Sequence, residues 1–211
     1  MNKVILNGLL LSTVAVLSAC INDSEDLNTI THIADNHAGI AYAAYSDSKT
    51  AALILQESVN TFIAEPTEDN LLETKVAYKA IRAPYQQSEI MRFDSIITVG
   101  ANLDADGGPA GVDEWEGQVN AWPLDEALID YVSDDYEGEY NSQENIINSD
   151  SVTVGSINQD TSTITPELLA EMNEIGGSEA NVTTGYHAIE FMLWGQDTNG
   201  VKEGAGNRPV T

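Results

Sequence analysis

Apolar and polar positions along the chain recur mostly at helical spacing. Over residues 32–64, Leu53, Ile54 and Leu55 lie within two turns of Val59 and Phe62. Ala41, Ala43, Ala44, Ala51 and Ala52 add helix-favouring residues of the kind that pack closely in bundles. A second helix is expected over residues 70–93, with Leu72, Val76, Tyr78 and Ile81 set among Glu73, Lys75 and Lys79. Pro66 and then Thr67-Glu68-Asp69-Asn70 mark its start, with acidic residues in the first turn. Pro84 falls inside it and is expected to kink it. Pro123, followed by Asp125 and Glu126, opens a short helix over residues 127–132. Thr165-Pro166-Glu167 opens another, through about Ile175, and Gly176-Gly177 ends it. Gly185 and Gly195 bracket the last.

The intervening stretches are polar. Residues 98–118 turn to Gly, Asp and Pro and read as a surface loop. Residues 133–165 are rich in Asn, Ser, Asp and Thr and read as a long loop. Residues 199–211 are Gly-rich and irregular. The expected fold class is all-α, a helical bundle with long loops and no internal repeat.

The last helix carries the candidate chemistry. His187, Glu190, Phe191 and Trp194 stand at i, i+3, i+4 and i+7, so they share one stripe. A helix normally buries such a stripe, and burying an ionised carboxylate without a partner costs several kcal/mol. A metal ion, a buried cation or a charged His187 is expected to compensate it. In the second helix Arg82 and Glu89 are seven apart and share a face. Two readings stay open there: a solvated pair worth under about 1 kcal/mol, or Glu89 as a further partner of the stripe. Asp104-Ala105-Asp106-Gly107-Gly108 looks like the start of a calcium loop. Its glycine comes early and Trp115 stands at position twelve, so no EF-hand is expected. His32 and His37 read as surface residues near the N-terminal tether.

Charge and the N-terminus set the compartment. The formal net charge is −26, from 8 Lys+Arg against 34 Asp+Glu. Such a surface repels nucleic acid and anionic headgroups, keeps the chain soluble, and attracts cations without specifying one. Met1-Asn2-Lys3 is a short positive segment, residues 4–17 are mostly apolar, and Leu17-Ser18-Ala19-Cys20 closes the run. That order is a secretory signal, too short for a spanning helix. Its ending resembles a bacterial lipoprotein box, which implies cleavage before Cys20 and lipidation of that thiol. Cys20 is the one cysteine, so no disulfide forms within the chain. The expected organisation is a signal peptide over 1–19, a polar tether over 20–30 and a helical domain over 31–211.

Gly185-Tyr186-His187-Ala188-Ile189-Glu190 fits the Gly-x-His-x-x-Glu motif of the imelysin family. Arg82-Ala83-Pro84-Tyr85-Gln86-Gln87-Ser88-Glu89 and Asn120-Ala121-Trp122-Pro123-Leu124-Asp125-Glu126 resemble its other two hallmarks, in order. The continuation through Leu193-Trp194-Gly195-Gln196-Asp197 is most similar to the branch called iron-regulated protein A. The resemblance runs from about Asp35 to the last residue. It implies an all-helical fold of two bundle-like halves, of which this chain matches the first. On that basis the chain is expected to be truncated at its C-terminus or one half of a split protein, prone to self-association or in need of a partner that supplies the second half. The resemblance further implies a bacterial envelope protein, lipid-anchored and facing the periplasm or outer surface, linked to iron uptake and its partner proteins. His187 and Glu190 carry over as presumed metal ligands. Arg82, Glu89, Trp122, Asp125, Gly185 and Trp194 carry over as nearby family positions.

Three functions follow. The first is a metal-binding envelope protein, with His187 and Glu190 as ligands, Glu89 and Asp125 as candidate further donors, and iron favoured over zinc or calcium. The second is a metallopeptidase of the imelysin type with Glu190 as its catalytic residue. It would need a third ligand, an open position and a general base. The third is an interaction module without catalysis, in which His187 and Glu190 are a hydrogen-bonded pair.

Overall fold

A computed structural model describes residues 23–91, 110–140, 144–200, 204, 206 and 208–210. Cys20, the signal segment and the Asp104–Gly108 stretch lie outside the described residues. The long first helix, α1, runs Asp23–Ala64. The expected polar tether is therefore helical from Asp23 onward. Residues up to Ile40 form one unit and residues 41–211 a second. In the first, Ile30, Ile33 and Ile40 are exposed.

Within the second unit, Glu65-Pro66-Thr67 turns the chain back into α2, Glu68–Glu89. Thr67 caps α2, its hydroxyl accepting from Asn70 N at 3.2 Å. The buried Thr74 hydroxyl lies 3.1 Å from the Ser58 carbonyl of α1 and 2.8 Å from Asn70 O in its own helix. The helix continues through Pro84 to Glu89. Its buried face is Leu71, Thr74, Tyr78, Ile81, Tyr85 and Ser88, a three-and-four spacing. Leu72 and Val76, expected on the apolar face, are exposed, as are Leu53 and Ile54 of α1.

Helix α3, Ala110–Val119, replaces the end of the expected loop. Helix α4, Glu126–Ile129, is shorter than expected. The polar stretch beyond it holds an antiparallel hairpin, β1 Ser151–Val154 and β2 Ile157–Asp160, with Val152 opposite Gln159. Its two-residue connection begins with Gly155 at φ 59°, a conformation glycine adopts without steric cost. Thr161 closes the hairpin through Ser149 O at 2.6 Å. Helix α5, Pro166–Met172, is capped by Thr165, and a 3-10 turn at Ile175–Gly177 follows. Helix α6, Gly185–Trp194, ends at Gly195. The all-α expectation holds, and the hairpin is the one sheet among the described residues.

Three apolar clusters hold these elements. Leu55 of α1, the buried face of α2, and Tyr186 and Leu193 of α6 make the first. Ala127, Leu128, Tyr140, Ile146, Val152, Met172 and Ile175 gather α4, the hairpin and α5 in the second. Ile129 meets Ala188 and Phe191 of α6 in the third. An apolar groove of about 710 Å³ opens beside the first cluster, between α1 residues such as Val59 and Phe62 and α6 residues such as Ile189 and Met192.

Ile81 is 1 % exposed at the centre of the first cluster. Ile81→Ala is expected to cost about 2–5 kcal/mol in urea unfolding. Leu72→Ala, on the exposed face of the same helix, is expected to change stability by no more than about 0.5 kcal/mol. Equal losses at both positions would show that α2 is packed in another register.

Candidate functional site

The site forms where α2, the Asn120–Glu126 segment and the N-terminal half of α6 meet. Gly185 sits at φ 85°, and a Cβ there would stand 2.5 Å from Val119 O and 2.7 Å from Gln118 O. The first residue of α6 is thus pressed against the last carbonyls of α3. Any larger residue would have to push the two helices apart. Thr184 Oγ1 adds a hydrogen bond to Gln118 O at 2.9 Å.

Arg82 ties the three segments together. Its Nη1 donates to Asn120 Oδ1 at 2.9 Å. Its guanidinium lies over the rings of Tyr186 at 5.0 Å and Tyr85 at 5.8 Å. The Asn120 contact fixes the segment that carries Trp122. The Trp122 indole, 69 % exposed, lies beside the His187 imidazole, tilted 57° to it with centroids 4.9 Å apart.

His187 and Glu190 face one another, with Nδ1 3.5 Å from Oε2. Their side chains are 18 % and 53 % exposed respectively. The expectation that both lie on a buried stripe is therefore corrected. The buried sides of α6 are Tyr186 with Leu193 and Ala188 with Phe191, and Glu190 stands at the edge facing water. Burial lowers the His187 pKa below its ordinary value, and the positive charge of Arg82 lowers it further, against the pull of Glu190. The imidazole is thereby biased to the neutral form, which keeps a nitrogen lone pair available.

Tyr78 was not legible as a site residue. Its hydroxyl lies 3.2 Å from Glu190 Oε2 and 3.0 Å from Tyr186 O. Burial, and then the Glu190 charge, push its pKa up, so it stays a proton donor. Its only sequence signal is position: Tyr78 precedes Arg82 by four and so shares its face.

A cavity of about 360 Å³ opens over the pair, walled by Tyr78, Trp122, Glu126, His187, Glu190 and Trp194 among others. Asp197 also lines it. Burial raises the Glu126 pKa above the usual carboxylate range, with Asp125 and Asp197 adding to the shift and Arg208 opposing it. Trp194 carries Lys75 and Lys79 over its ring at 5.4 and 5.5 Å.

The other candidate donors lie elsewhere. Asp125 is buried and accepts hydrogen bonds from the Tyr136 hydroxyl at 3.0 Å and from Tyr140 N. Its own N–H donates to Ala180 O at 2.7 Å. It anchors the loop after α4, so its carboxylate serves the fold. Glu89 ends α2, two turns beyond Arg82. Among the described residues no group of three or more His, Cys, Asp or Glu is close enough to hold a metal ion. Neither Asp125 nor Glu89 therefore joins the pair.

The pair itself can be tested against an ion. Adjacent donors of a tetrahedral ion with bonds of about 2.1 Å stand about 3.4 Å apart. The observed 3.5 Å fits that edge, and it is long for an N–H···O hydrogen bond. The spacing of His187 and Glu190 is compatible with two adjacent donors to one ion.

The family model described as Imelysin matches residues 41–211, the same span as the larger compact unit. No curated protein matches the chain.

His187 should titrate below 6.5, the ordinary value. Because its folded value is depressed, the unfolded chain takes up this proton first. Stability is expected to fall as pH drops below 6.5 and to level off once folded His187 is protonated. The difference between wild type and His187→Gln isolates this contribution. NMR titration of the imidazole checks the midpoint; a value at or above 6.5 would contradict the burial and Arg82 effects.

Proposed function

The chain belongs to the imelysin family, and on that premise we propose that it binds a metal ion through His187 and Glu190. The observation that supports this reading most directly is the 3.5 Å separation of Nδ1 and Oε2. Bound there, the ion would draw one lone pair from a neutral imidazole and one from an ionised carboxylate. The chemistry it supplies is a positive centre with coordination positions left for water or a further donor. The chain's own residues hold the two ligands in place. Arg82 and Asn120 fix the segment carrying Trp122, Trp122 packs beside the imidazole, and Tyr78 reaches Glu190. Glu126 and Asp197 in the cavity wall favour a cation there, against the single lysine, Lys79, that also lines it.

Iron is the ion this reading assigns, in service of uptake or homeostasis at the bacterial envelope, as the resemblance to the iron-regulated branch implies. Peptide hydrolysis would ask Glu190 to be both ligand and general base. Ion binding asks less of the same residues.

Titration calorimetry of the purified chain, residues 21–211, with ferrous iron under anoxic conditions and with zinc tests the site. One ion per chain is expected, with affinity reduced at least about ten-fold by His187→Ala and by Glu190→Ala. Calcium should bind far more weakly, since an imidazole ligand suits transition metals better. If wild type and both variants retain equal metal, the ligand assignment is wrong.

We further propose that Cys20 anchors the chain through a lipidated thiol, on the strength of the Leu17-Ser18-Ala19-Cys20 box. Mass spectrometry of the membrane fraction should find an acylated N-terminal cysteine. Cys20→Ser should move the protein out of that fraction. Unmodified cysteine in the full-length chain would overturn the anchor.

A further inference from the structure

Glu190 has a long side chain that is half in solvent, and such a side chain ordinarily samples several rotamers. Holding it toward His187 needs a contact. Tyr78 is 2 % exposed. Its ring packs edge-on against Tyr186 and Trp194, with centroids 6.3 and 5.4 Å away. Those residues lie one turn to either side of Glu190, so the phenol is clamped along the axis of α6. Its hydroxyl emerges between them, 3.2 Å from Glu190 Oε2.

The hydroxyl has one proton and two acceptors in reach. Tyr186 O, at 3.0 Å, is also the carbonyl that takes the Glu190 N–H in the helical pattern of α6. It is satisfied without Tyr78. The ionised carboxylate is the stronger acceptor. A carboxylate oxygen can also accept from the phenol and still offer a lone pair toward His187. With Glu190 turned away, the Tyr78 O–H still has Tyr186 O as an acceptor at 3.0 Å, so the buried hydroxyl keeps a hydrogen-bond partner.

We propose that Tyr78 is a positioning residue that holds Glu190 Oε2 toward His187, with the Tyr186 carbonyl as its alternate acceptor. Its effect on metal affinity rests on the reading of His187 and Glu190 as ligands. The hydrogen bond itself does not.

The experiment uses cobalt(II) as the probe, followed by its visible absorption bands, on the purified chain. Tyr78→Phe keeps the ring and its packing and removes only the hydroxyl. It should weaken cobalt binding about ten-fold, in the range for outer-shell partners of metal ligands. In a Glu190→Gln background the same change should have no further effect, because Tyr78 acts through the carboxylate. A merely structural tyrosine would instead weaken binding in both backgrounds, or in neither. Cobalt affinity in Tyr78→Phe within about two-fold of wild type would overturn the proposal; so would full additivity with Glu190→Gln.

A second readout separates this from the ligand assignment. In metal-free protein, the Tyr78 Cζ carbon resonance should shift on Glu190→Gln. If wild type binds no cobalt yet the resonance moves, the ligand reading fails and the Tyr78 contact stands. A resonance unmoved by Glu190→Gln sinks the contact.

Discussion

The ten residues of α6 meet α1 and α2 on one side, α4 on another and α3 at the N-terminal end. At about 100° per residue, Tyr186 and Leu193 come round to α1 and α2, while Ala188 and Phe191 turn toward α4. His187, Glu190 and Trp194 occupy the side that remains and line the cavity. The arrangement depends on backbone meeting backbone at Gly185, where no side chain fits against the Val119 and Gln118 carbonyls. The glycine of the motif is thus steric, and the histidine and glutamate fall on the side that packing leaves over. At the other end, Arg208 N bonds Trp194 O at 2.9 Å, and the Arg208 guanidinium lies over Phe191 and pairs with Asp130. Contacts hold both ends of the helix, and its middle is the platform between them.

The few positive charges near this platform are placed where they tune the site without filling it. Arg82 meets an amide and two aromatic faces. In that position it disfavours a charged His187. The lysines of α2 lie over Trp194. Lys79 also lines the cavity, beside the three carboxylates of Glu126, Glu190 and Asp197, in a chain that carries a net −26. Burial, and then the charges of Asp125 and Asp197, raise the Glu126 pKa against the opposing charge of Arg208.

Much of the frame was legible because it is local. Thr67 and Thr165 cap the helices their positions announced, and Gly185 and Gly195 bound α6. Arg82, Trp122, His187 and Glu190, from the three motif stretches, lie together, with Arg82 on Asn120, Trp122 beside His187 and His187 facing Glu190. What failed was long-range or masked by polarity. Ser151-Val152-Thr153-Val154 alternates and meets Ile157 across Gly155-Ser156. Its polar neighbours hid that hairpin signal inside an apparent loop. Leu72 and Val76 are apolar, yet the core of α2 is built from Thr74 and Tyr78 as much as from leucine. Burial there is decided by which side α1 and α6 occupy, and no single helix encodes that. Asp125 looked like a ligand because it is an acid in a motif. Its partners Tyr136 and Tyr140 lie more than ten residues away, and nothing at Asp125 itself names them.

The half-exposed state of Glu190 changes the physical argument for an ion. A fully buried pair would demand a compensating charge on desolvation grounds alone. With its carboxylate 53 % exposed, water already meets part of that demand, so burial no longer forces a metal. The case passes to geometry. Two donors face each other too far apart for a good hydrogen bond and at the spacing of a coordination edge. A closed structural metal would be part of the folding energy and would need its ligands sealed. On the proposed reading, a pair that is half in water and open to the cavity suits an ion that is taken up and released more than one sealed into the fold.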